Sequence, residues 1–135
     1  MFSVDVRTGK LLEVRVGSPF TMDEASQLFK EIYKKGPRGG GVRVIVDMRQ
    51  MRLLDPDVID LMTGFMQKDN PLVERNAFLL PDGSALLQIQ SDRMLKQVGS
   101  ASRRNFRDRE QAESWLAELC TPAEKARLKQ FLDEG

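Results

Sequence analysis

The sequence predicts a single α/β domain on a mixed sheet of about five strands, in the order ββαβαβαβα with one extra helix at the carboxyl end. Three observations predict it. Val42, Val44, Val46 and Met48 fall on one face of a nearly continuous apolar run and Ile45 on the other, which suits a central strand covered on both sides. Two short alternating runs precede that strand, and capped amphipathic segments alternate with apolar runs after it. A chain of 135 residues fits one domain, one that buries roughly two-thirds of its unfolded surface.

Phe2, Val4 and Val6 alternate with polar residues, as do Leu12, Val14 and Val16 with Glu13 and Arg15. Thr8-Gly9-Lys10 is a turn signal between them, so the reading is a hairpin with one buried face. After Gly17-Ser18-Pro19, Thr21 and Glu24 have the spacing of a capping box, opening a helix through Leu28, Phe29, Ile32 and Tyr33. Lys34-Lys35-Gly36-Pro37 ends it. Arg38-Gly39-Gly40-Gly41 reads as a linker, because phosphate-binding glycine loops follow a strand and open a helix, whereas this one precedes a strand.

Asp55-Pro56-Asp57 begins the second helix, with Val58, Leu61, Met62, Phe65 and Met66 at helical spacing. Ala77 to Leu80 suit a short buried strand. Ser84 to Val98 suit a helix ended by Gly99, although Leu87 to Gln90 alternate locally like a hairpin strand. Ser102 to Phe106 form the last strand, and Asp108 caps a helix holding Ala112, Trp115, Leu116 and Leu119. Thr121-Pro122-Ala123-Glu124 supplies N-cap, first-turn proline and capping-box glutamate for a terminal helix with a Leu128, Phe131, Leu132 stripe. Residues 1–119 are expected to form the body, and 120–135 an accessory amphipathic helix packed on the same domain.

The bulk chemistry excludes several classes. Net charge is +1, although residues 1–54 carry 10 basic against 6 acidic side chains and residues 55–135 carry 11 against 14. No whole-molecule field draws the chain to nucleic acid or membrane. Cys120 is the sole cysteine, which permits no internal disulfide and fits a reducing compartment. The chain opens on a strand-like segment and has no apolar run of membrane-spanning length, so neither a signal peptide nor membrane insertion is expected and the expected location is cytoplasmic.

There is no histidine, which removes the commonest general base and metal ligand. Cys120 follows Trp115, Leu116 and Leu119 on an amphipathic helix and reads as a buried small residue. Asp47, Asp55, Asp57 and Asp60 are too few and too well explained by capping and exposure to make a magnesium site. Arg103, Arg104, Arg107 and Arg109 are the densest basic cluster, read as solvated strand-edge charge, since only Phe106 interleaves as a stacking position. No catalytic residue, metal, cofactor or nucleic-acid partner is expected.

Val44-Ile45-Val46-Asp47 followed by Leu54-Asp55, then Ala77-Phe78-Leu79-Leu80, then Asn105-Phe106-Arg107-Asp108 with Ala112 and Trp115-Leu116, resemble in order and spacing the STAS fold of bacterial anti-sigma-factor antagonists and SpoIIAA-like proteins. The resemblance covers residues 2 to about 119. It implies a STAS-like domain acting as a non-enzymatic, bacterial signalling module that binds a protein partner. Regulatory members carry an Asp-Ser-Ser-Gly type sequence whose first serine is phosphorylated. Here the residues are Asp55-Pro56-Asp57-Val58, and Pro56 has no hydroxyl. The expected partner surface is the strand–helix connection with Arg49, Arg52, Asp55, Pro56, Asp57 and Asp60. The alternative implied is a carrier of a small apolar or lipid-like ligand, held by Leu54, Met62, Phe65 and Met66.

Overall fold

The computed structural model describes residues 1–135. Strands β1 (Phe2–Thr8) and β2 (Leu11–Gly17) form the antiparallel hairpin, with Val4 opposite Val14. Helix α1 (Met22–Lys35) leads to β3 (Val42–Gln50), and α2 (Pro56–Asp69) through a 3-10 turn (Asn70–Leu72) to β4 (Val73–Leu79). Helix α3 (Ala85–Val98), β5 (Arg103–Phe106), α4 (Arg109–Ala117) and α5 (Pro122–Glu134) complete the chain. The sheet runs β1-β2-β3-β4-β5, and every pairing after the hairpin is parallel. The expected mixed five-stranded sheet is therefore present, with its strands laid down in sequence order.

Local chemistry sets the element ends. Thr21 with Glu24, and Thr121 with Glu124, form complete capping boxes, and the Asp108 carboxylate accepts from the amides of Glu110 and Gln111. Gly99 ends α3 in the left-handed conformation, at φ 75°, that glycine adopts without a Cβ penalty, so residues 85–98 are helical and the hairpin alternative fails. Asp55 holds the N-cap position of α2, but its side chain makes no capping hydrogen bond. Pro56 at the first helical position and the Asp57 charge in the first turn carry that helix start instead.

The two faces of the sheet bury different sets. Val14, Val44, Val46 and Phe78 face α1, α2 and α3 in the larger core, together with Leu28, Met62 and Met94. Leu11, Ile45, Ala77 and Leu79 face α4 and α5, where Leu116, Leu128, Phe131 and Leu132 are buried. Each of these side chains other than Ala77 contributes about 1.5–3 kcal/mol of transfer free energy.

This second layer changes the reading of the hairpin. Glu13 was expected to point to solvent, yet it is 2% exposed because α5 lies over it. Its carboxylate takes two hydrogen bonds from Arg127, at 2.7 and 2.9 Å. Strand β4 starts four residues before Ala77 for a related reason. Glu74 pairs with Arg43, and Arg75 lies over the Trp115 ring, so charges that break the apolar pattern are accommodated within the strand.

Candidate functional site

The larger core is not filled. Between the β2–β3–β4 face and helices α1 and α2 there is a cavity of about 390 Å³. Its floor is made of short β-branched side chains, Val14, Val44 and Val46, with Phe78 beside them; its roof is Leu28, Phe29 and Ile32 from α1 with Met62 and Met66 from α2. Phe29 stacks on Phe65 at 4.5 Å and 13°, and Tyr33 tilts against the same Phe65 ring at 6.2 Å. That aromatic contact sets the α1–α2 packing, and the valines beneath are too short to fill the space left.

The cavity opens beside Tyr33, Gly36 to Gly39, Asp69 and Leu72. Tyr33 is 52% exposed and Leu72 47% exposed at this mouth. The segment read as a plain linker thus borders the opening through Arg38 and Gly39. These residues lie at or just after the carboxyl ends of α1 and α2, by the amino ends of β3 and β4. The mouth is therefore at the end of the sheet opposite the β3–α2 connection.

One stretch of the wall is polar, formed by Arg103, Asn76, Asp69 and Tyr33. Arg103 is only 8% exposed. Its Nε donates to Asn70 Oδ1 at 2.9 Å, Nη1 to Asn76 Oδ1 at 2.7 Å and Nη2 to the Met66 carbonyl at 3.0 Å. Burial lowers the guanidinium to about 10, against the pull of the Asp69 charge. Burial also pushes the Asp69 carboxyl up, opposed by the nearby Tyr33 phenol and by the charges of Arg103 and Lys68. The Tyr33 phenol is raised by burial and by Asp69.

The residues expected to hold an apolar ligand divide. Met62 and Met66 line the cavity, whereas Leu54 and Phe65 do not. Leu54 is buried away from it, its backbone amide and carbonyl both paired with the Gln90 side chain. Phe65 uses its ring on Phe29.

The expected partner surface divides as well. Arg52, Asp55, Pro56, Asp57 and Asp60 are exposed around the start of α2, beside Leu53, which is 51% exposed. Arg49 is elsewhere. It sits on the α5 face, bidentate to Asp47 at 3.0 Å and bound to the Leu132 carbonyl at 2.9 Å, because alternation along β3 sends Arg49 with Asp47 to the face opposite Met48.

The arginine cluster divides: Arg104 and Arg107 are exposed at the β5 edge as expected, Arg109 is half-buried, and Arg103 is not solvated. Arg103 is buried, Arg104 lies over Trp115, Arg107 donates to Gln88, and Arg109 pairs with Asp133 and Glu113. Strand alternation was the one available signal for Arg103, since in a strand ending at Phe106 it falls on the other face from Phe106. Cys120 is buried, donates to the Leu116 carbonyl and has its thiol pushed up by burial. No group of three or more acidic or cysteine side chains is arranged to hold a metal ion.

A crystal structure of an uncharacterized protein of the DUF3478 family from Shewanella loihica PV-4, described as having a SpoIIAA-like fold, superposes with a TM-score of 0.65. The match covers 85% of this chain and 93% of that one, at 14% sequence identity. The fold is SpoIIAA-like. No family model matches the sequence, and no curated protein does. In this SpoIIAA-like chain, the β3–α2 connection and the cavity lie at opposite ends of one sheet face, and no helix is long and apolar enough to cross a membrane.

Proposed function

We propose that this protein is a non-enzymatic, cytoplasmic binding protein that holds a small apolar or lipid-like molecule between its sheet and helices α1 and α2. The observation that carries the reading is the cavity of about 390 Å³ in the larger core. Ligand sites are apolar clefts of roughly 300–1,000 Å³ with a few placed polar groups, and this one has apolar walls with a single polar edge. Met62 and Met66 suit such a site, since their unbranched thioether side chains adapt to different ligand shapes. The test is saturable uptake of an uncharged apolar fluorophore, N-phenyl-1-naphthylamine. One molecule bound per chain is expected, with binding lost in Val44→Trp, which fills the floor. A protein that takes up no probe overturns the reading.

A second reading is the interaction module that the SpoIIAA-like scaffold suggests, without a phosphoacceptor because Pro56 holds that position. The exposed Leu53 amid Arg52, Asp55, Pro56, Asp57 and Asp60 favours it, with exposed Leu86 and Ile89 on the neighbouring start of α3. Leu53→Asp and Asp57→Lys should each abolish capture of a protein partner from native lysate while the fold is kept. Equal capture by both variants and the parent removes this surface from consideration.

A further inference from the structure

The unusual feature of the cavity is a buried charge with no carboxylate bound to it. Arg103 is buried, yet all three of its acceptors are neutral, two side-chain amides and a backbone carbonyl. No carboxylate stands within ion-pairing distance of it. Asp69 acts on it only through space. Buried guanidinium groups are normally paired, because an isolated ion in an apolar setting is costly.

The other deeply buried arginine of this chain follows that rule. Arg127 has Glu13 at 2.7 Å and Glu134 at 3.2 Å. Arg103 instead lines an apolar cavity, and its three hydrogen bonds leave one N–H on each terminal nitrogen without an acceptor.

We propose that the missing counter-charge belongs to the ligand, and that the cavity takes a medium-chain carboxylate, its head on the two free Arg103 N–H groups and its tail along Val14, Val44 and Val46. This rests on the carrier reading and specifies the ligand class. A guanidinium fork matches the two oxygens of a carboxylate. The half-buried Asp69 beside it disfavours a doubly charged head, which leaves one negative charge as the fitting complement. Length follows from volume. At roughly 30 Å³ per water-sized group, 390 Å³ accommodates roughly a dozen heavy atoms, the size of decanoate.

The experiment compares decanoate, decan-1-ol and decyl phosphate by titration calorimetry on the full chain. Decanoate should bind at least ten-fold more tightly than decan-1-ol, and more tightly than decyl phosphate. Arg103→Gln should erase the preference for decanoate over the alcohol. Asp69→Asn leaves every Arg103 hydrogen bond in place and keeps the test valid should Arg103→Gln fail to fold. It should tighten decanoate several-fold and leave decan-1-ol unchanged.

Alcohol binding equal to decanoate overturns the head-group assignment while the carrier reading stands. Decyl phosphate binding best overturns the carboxylate. Loss of all three ligands overturns the carrier reading itself, and this inference with it.

Discussion

The two faces of the sheet treat buried charge in opposite ways. Under α5, Glu13 meets Arg127, and Asp47 meets both Arg15 and Arg49. The Glu124 carboxylate there takes hydrogen bonds from the amides of Lys10 and Thr121. Under α1 and α2, Arg103 has amides and a carbonyl but no ion-pair partner, and it borders the cavity. The α5 face pairs its ions from within the chain and packs around them, with the Arg43 Nε alone left without an acceptor. The α1–α2 face is left incomplete in both charge and volume, at the same place. A fold able to pair its buried ions on one side makes the unpaired one on the other informative.

The largest expected effect comes from removing the cover of the closed face. Ending the chain after Leu119 uncovers Leu11, Ile45, Ala77 and Leu79 and strands Glu13 without Arg127. The lost burial of Leu128, Phe131 and Leu132, at about 2–5 kcal/mol each, rivals the about 5–15 kcal/mol by which a domain is stable. Cooperative urea unfolding should disappear. A truncated protein that unfolds with an unchanged midpoint would show that α5 is dispensable.

Next comes the Glu13–Arg127 pair. Glu13→Leu leaves Arg127 half-partnered and should cost about 3–5 kcal/mol, whereas Glu13→Leu with Arg127→Met should regain most of it. Urea midpoints for the two variants sharpen the contrast, and equal losses would mean that packing, not charge, governs that face.

Volume offers a third contrast. Ala77→Val adds bulk to the closed face and should cost about 1–3 kcal/mol. Val44→Ile adds a methylene where the cavity can receive it, and its midpoint should match or exceed the parent's. If both substitutions cost the same, the cavity is not available space.

The smallest effect is in pH. The Glu124 carboxyl is pushed up by burial, but the hydrogen bonds from Thr121 and Lys10 and the charge of Arg43 outweigh this and hold it below its ordinary value of 4.5. Its stabilisation is therefore complete above about 4.5 and lost as pH falls through the lower folded value. Asp69 has the opposite sign. Its raised folded value means a stabilisation present below its ordinary 3.8 and lost as pH rises through the folded value. Urea midpoints between pH 3 and 7 should show Glu124→Gln flattening the acid loss, and Asp69→Asn gaining on the parent as pH rises. Slopes of one sign for both would contradict this account.

Much of the fold was legible because its signals are local. Both capping boxes, the Asp108 cap and the Gly99 terminus can be read within four residues, and the apolar face of β3 within seven. What escaped depends on distant partners. Glu13 appears solvent-facing until α5 is laid over it, and Arg103 until Asn70, Asn76 and Met66 converge on it. Arg49 and Asp55 share a connection but not a face, which chain proximity hides. The cavity was the least legible, since it arises from the height at which Phe29 on Phe65 sets two helices above short valines. Of its lining, Met62 and Met66 were expected to hold a ligand, whereas Arg103 was read only as surface charge.

The Glu13–Arg127 and Lys10–Glu124 contacts each span 114 residues. At about 5–20 residues per second, ribosomal synthesis of such a span takes on the order of ten seconds. The strands emerge in the order they occupy in the sheet, so the α1–α2 face can close as it is made. The α5 face cannot. Leu11, Ile45 and Leu79 stay uncovered until α4 and α5 follow them out, so this face sets the interval in which the nascent chain exposes apolar surface.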